Sequence, residues 1–137
     1  MADSIDKFAN LKSRFIVDEN LYNAERLTGD VEKLLQYCKL TTKGRVIITA
    51  KGLTDKTRIA IIVFARYLAH KLDKSISDLV STEEMAALGG IQKSSVRGRT
   101  TDLVDGGLIV RVEQGQFRAV ATSIDDFFEM LSSPKVI

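Results

Sequence analysis

The stretch Ser81-Thr-Glu-Glu-Met-Ala-Ala-Leu-Gly-Gly-Ile-Gln-Lys-Ser-Ser-Val96 decides how the rest of this chain is read. Ser81 followed three residues later by Glu84 is a capping box, in which each side chain satisfies a backbone N–H of the other, and it fixes a helix start at Thr82. Met85 and Leu88 give that helix a short apolar face. Gly89-Gly90 then ends it, because glycine reaches the left-handed backbone region without steric cost. Ile91 anchors the turn, and Gln92-Lys93-Ser94-Ser95 opens a further helix with Val96, Leu103 and Val104 inward, ended by Gly106-Gly107.

Two short helices joined by a glycine-containing turn describe a helix-turn-helix. Downstream, Leu108 to Val112 reads as a strand, Glu113-Gln-Gly-Gln116 as a hairpin turn, and Phe117 to Ala121 as the returning strand. Ser123 is placed to cap a last helix with Ile124, Phe127, Phe128 and Leu131 on one face. Upstream, Thr54 or Asp55 caps a helix running to about Leu72 whose middle, Ile59 to Ala65, is apolar on nearly every side. A helix of that kind is surrounded by others, so it is expected at the centre of the fold. Tyr67, Leu68 and Leu72 continue its buried face, and Lys56, Arg58, Arg66 and Lys71 mark the wetter one.

The N-terminal part is less regular. Ile5, Phe8, Leu11 and Phe15 predict an amphipathic helix over 4–16. Leu27, Val31, Leu34, Leu35 and Cys38 predict a second, and the β-branched run Arg45 to Ala50 predicts a strand. The expected division is 1–53 as a helical extension with a short strand packed on the module, 54–131 as the module, and 132–137 as a tail. The fold class is mainly α with a small β-hairpin.

The stretch Glu84 to Val112 resembles the winged helix-turn-helix superfamily of transcriptional regulators. Its pattern of a Leu-Gly-Ile turn, a Ser/Thr-Val helix start and Leu-x-x-x-Gly-Leu-Ile leading into the wing appears as Leu88-Gly-Gly-Ile91, Ser95-Val96 and Leu103-Val-Asp-Gly-Gly-Leu-Ile109. The resemblance spans roughly residues 54–131, and the order of elements is similar to small archaeal regulators. Two positions depart from the pattern. Gly98 lies inside the expected recognition helix, at a cost of about 1 kcal/mol relative to alanine. Thr100 stands where a leucine or similar core residue is usual.

The resemblance implies double-stranded DNA as partner, read by the helix near 93–105 and the wing near 108–121. A recognition helix sets its N-terminal residues on base edges. Helical spacing turns Ser94, Ser95, Arg97 and Thr101 outward, with Arg99 toward the flank and Lys93 near the helix start, where backbone donors favour anions. Arg111 and Arg118, with Gln114 and Gln116, are the hairpin's candidates. Ile91 to Arg118 holds five basic residues against three acids, a modest surplus. A denser basic stretch lies outside the module: Lys39, Lys43, Arg45, Lys51, Lys56 and Arg58 face only Asp55 from 39 to 58, and Lys43 and Arg45 join the candidate contacts.

Composition narrows the alternatives. The chain has 137 residues, 45% of them apolar, and a net charge of +2. Its longest apolar run is too short to cross a bilayer, and the N-terminus, with Asp3 and Asp6, does not read as a signal peptide. Cys38 is the single cysteine and reads as a small buried hydrophobe on its predicted helix. His70 is also single and reads as a polar residue near a helix end. No metal site, cofactor or membrane partner is expected, and a cytoplasmic location follows from the cysteine usage. No phosphate loop or Ser-His-Asp set is present, so no enzyme is expected; Asp125-Asp126 reads as a solvated helix start. The competing class is a winged-helix protein-interaction module in a larger assembly, which the even balance of 11 basic and 11 acidic residues from Thr54 onward suits. The N-terminal helices, with Phe8, Phe15 and Tyr22, are either a homodimer interface or a cover for the central helix.

Overall fold

In the computed structural model, residues 2–16 and 24–132 are described. The fold is built on α3 (Asp55–Leu72), whose residues Ile59 to Ala69 are all buried. Thr54 starts this helix with its hydroxyl accepting from the Thr57 N–H at 3.2 Å, one of the orphan donors of a first turn. Burying each large apolar side chain of this run contributes about 1.5–3 kcal/mol. Phe64 stacks on Phe127 with ring centroids 4.2 Å apart, joining the centre of the chain to its last helix.

Around α3 sit α2 (Ala24–Leu34), a hairpin of β1 (Cys38–Leu40) and β2 (Val46–Ile48), then β3 (Val80–Ser81), α4 (Thr82–Gly89), α5 (Lys93–Asp105), β4 (Ile109–Glu113), β5 (Gln116–Ala119) and α6 (Ile124–Ser132). The architecture is mainly helical with two small antiparallel sheets, β1-β2 and β3-β5-β4. The first pairs Cys38 with Ile48 and Leu40 with Val46. The second pairs Ile109 with Ala119 and Arg111 with Phe117, with an irregularity between Arg111 and Glu113. No helix among the described residues is long and apolar enough to cross a membrane.

Several expectations are corrected. Cys38 lies on a strand, not a helix, because α2 stops at Leu34 and the Thr49 and Ala50 N–H groups bond to Tyr37 O, drawing the chain into a hairpin. The thiol is buried nevertheless, and Leu35, expected on the same stripe, is exposed. Leu72 is exposed at the helix end instead of buried. Arg66, expected on the wet face, is 8% exposed, since carbonyls from two loops and a carboxylate converge on it. Ser123 ends a 3-10 turn (Ala121–Ser123), and its hydroxyl donates to Gly107 O at 2.7 Å.

The extension divides as well. Residues of α2, β1 and β2 pack against α3. By contrast α1 (Ala2–Phe15) exposes Phe8, Leu11 and Phe15, so these side chains do not cover the central helix. Tyr22 lies outside the described residues.

Candidate nucleic-acid interface

The start of α4 is set by the capping box expected from the sequence. Ser81 Oγ accepts from Glu84 N at 3.1 Å and Glu84 Oε1 accepts from Ser81 N at 3.4 Å. The turn after α4 is held by Gly90 at φ +64°, where a side chain is disfavoured. The Ile91 N–H then reaches Ala86 O at 3.0 Å, and the buried Ile91 side chain fixes the angle at which α5 departs. On α5, Val96, Thr100 and Leu103 face inward. Thr100 tolerates burial because its hydroxyl donates to Arg97 O at 2.9 Å, so no polar atom is stranded.

The β4-β5 hairpin folds back toward α5. Phe117 and Ala119 face the core, and Arg111, opposite Phe117 in register, shares their side of the sheet. Its guanidinium lies 5.5 Å from the Phe117 ring centroid, a cation–π contact that holds the long side chain toward α5. Between hairpin and helix is a groove of about 600 Å³. Lys93, Arg97 and Arg111 line it, together with Gln114, Thr82 and the acid Glu83.

The candidate contacts therefore separate into groups. Lys93, Arg97 and Arg111 are brought together, and Ser94 is exposed beside them on the first turn of α5. Ser95 is half-buried, and the Thr101 hydroxyl donates back to Arg97 O at 2.9 Å. Arg99, about 200° around the helix from Arg97, faces elsewhere. It lies beside Thr54, Asp55 and Lys56 at the first turn of α3 and pairs with Asp102 at 3.4 Å. Arg118, opposite Val110 in register, is on the outer side of the hairpin, with its Nε 3.0 Å from Asp78 Oδ2.

Lys43 and Arg45 do not line the groove. They flank Gly44 in the β1-β2 turn, whose carbonyl accepts from Arg66 Nη1 at 3.0 Å. Arg66 also binds Glu84, so this turn is tied to the first turn of α4. Sequence reading missed Thr82 and Glu83 as a groove wall, because the helix start was read as a cap and not as a surface. It also missed β3, a two-residue strand whose pairing with Phe117 and Gln116 sets the hairpin against α4.

Chemically, the groove presents two guanidiniums and an ammonium against one carboxylate. Gln92 precedes α5 without a side-chain cap bond, so the positive end of that helix adds to the same field. Planar guanidiniums and a helix start are suited to phosphate oxygens. Among the described residues no cluster of His, Cys, Asp and Glu could hold a metal ion. No protein family, curated protein or solved structure matches the chain.

Proposed function

We propose that this chain is a winged helix-turn-helix protein that binds double-stranded DNA as a transcriptional regulator in the cytoplasm. In this reading α5 is the recognition helix and the β4-β5 hairpin is the wing. The observation that carries it is the convergence of Lys93, Arg97 and Arg111 on one groove between helix and hairpin. Phosphate contacts position such a module, and base edges are read by the first residues of the helix, here Lys93, Ser94 and Arg97. Three cations make a small electrostatic footprint. One module should therefore bind random duplex weakly, with Kd of order 10⁻⁴ to 10⁻⁶ M at physiological salt. A homodimer would supply the second half-site that tight binding needs.

Fluorescence anisotropy with a random duplex at low and moderate salt tests the reading. The expected result is salt-sensitive binding that is lost in an Arg97→Ala/Arg111→Ala variant. No binding at low salt, or equal binding by that variant, would overturn it.

One observation favours a protein partner instead. β4 is an edge strand whose Val110 and Val112 are exposed, the kind of surface that another chain covers. Affinity capture after nuclease treatment separates the two, since a stoichiometric protein surviving nuclease supports the interaction module.

A further inference from the structure

Among the described residues, one helix exposes an apolar ridge and the body of the molecule opens an apolar groove. α1 exposes Phe8 at 73%, Leu11 at 55% and Phe15 at 89%, followed by Ile16 at 64%. These positions recur every three or four residues, so they form one ridge along the helix. On the body of the molecule, α2, β1 and the C-terminal half of α3 enclose a groove of about 490 Å³. Its walls are Leu34, Leu35, Cys38, Leu68, Leu72 and Ile76, and none of Phe8, Leu11, Phe15 and Ile16 lines it. Leu35 and Leu72 stand at its lips, 51% and 64% exposed.

We infer that α1 of one chain docks in the α2-β1-α3 groove of a second copy, and that the exchange is reciprocal. A ridge-into-groove fit is the ordinary way in which helices bury an apolar stripe. The area is sufficient. Two phenylalanines offer roughly 300–500 Å² per helix. With two helices and the two groove walls that cover them, the exchange reaches the roughly 1,200–2,000 Å² of a specific interface.

A 14-residue helix with its apolar side in water does not persist by propensity alone, so the partner copy supplies its stability. This names the surface through which the DNA-binding dimer proposed above would form. It stands apart from that reading, because mass tests the one and anisotropy the other.

Light scattering of the full chain should give twice the 15.2 kDa chain mass. The mass should halve in Phe8→Asp/Phe15→Asp and, independently, in Leu72→Asp. All three side chains are exposed within one chain, so both variants should keep cooperative unfolding of the α3 core, with helical circular dichroism lower by no more than the length of α1. In a mixture of Phe8→Cys and Leu72→Cys chains, oxidation should yield a disulfide dimer containing one of each. A wild-type monomer would overturn the inference, as would a dimer that survives both charge variants. So would a disulfide that forms only within a single chain carrying both new cysteines.

Discussion

Arg66 Nη2 lies 2.6 Å from Glu84 Oε2, and this pair joins the central helix to the first turn of α4. The same guanidinium bonds Gly44 O at 3.0 Å and Ser77 O at 3.1 Å, while the other oxygen of Glu84 completes the capping box. One buried cation thus sets three segments relative to one another: the β1-β2 turn, the loop before β3, and the helix that walls the groove.

Removing that cation should destabilise the fold strongly. Arg66→Ala leaves the carbonyls of Gly44, Ser77 and Leu79 without their donor and the half-exposed Glu84 carboxylate without its partner, at a cost of about 3 kcal/mol. Glu84→Gln keeps an acceptor for the Ser81 N–H and faces more solvent, so its cost should be smaller, about 1.5 kcal/mol. Urea unfolding monitored by circular dichroism checks both. Equal losses, or a loss under about 1 kcal/mol for Arg66→Ala, would contradict the network.

Gly98 is exposed in the interior of α5, and a Cβ added there meets nothing within 4 Å. Gly98→Ala should therefore stabilise the protein by about 1 kcal/mol, the helix-propensity difference. If the glycine also lets a phosphate backbone approach α5, the same variant will bind duplex more weakly while melting higher. Higher stability with unchanged binding would show that the glycine is merely tolerated.

The two hairpin arginines should behave differently toward DNA. Arg111 faces the groove, whereas Arg118 is on the outer side beside Asp78. Arg111→Ala should lower affinity and reduce the slope of log K against log salt by about 1. Arg118→Ala should leave the slope unchanged. Reversed behaviour would place the anion on the outer side of the hairpin.

Burial pushes the Cys38 thiol up to about 12 from its ordinary value of 9.0. The folded protein should therefore resist alkylation at about pH 8 and react fully only when unfolded. The sign of the pH dependence follows from linkage. With the folded value above the unfolded one, the stabilisation is complete below pH 9.0 and is lost as pH rises toward about 12. The stability advantage of wild type over Cys38→Ala should accordingly shrink between these limits. A constant difference in urea midpoint across that range would refute it.

Much of the fold was legible because it rests on short-range rules. The capping box at Ser81 and Glu84, the left-handed turn at Gly90 and the all-round apolar run of α3 each depend on residues within one or two helical turns. β1 and β3 were not legible. A strand of two or three residues exists only through its partner, and nothing in Cys38-Lys-Leu40 alone announces Ile48, Ile47 and Val46 opposite it.

The candidate site divides along the same line. Helical spacing put Arg97 outward and put Arg99 toward the flank, and both positions follow from the sequence. Which arginines share a groove was decided by tertiary structure. Strand register places Arg111 beside Phe117 and Arg118 behind it, and packing puts Arg99 next to the start of α3. By itself, then, the sequence determined the starts of α3 and α4, the glycine turn after α4 and the all-round apolar run of α3, because capping and periodicity act over a few residues. The burial of Arg66 and the grouping of Lys93, Arg97 and Arg111 needed the fold, because the loop carbonyls, the ring and the strand partner that hold these side chains come from distant parts of the chain.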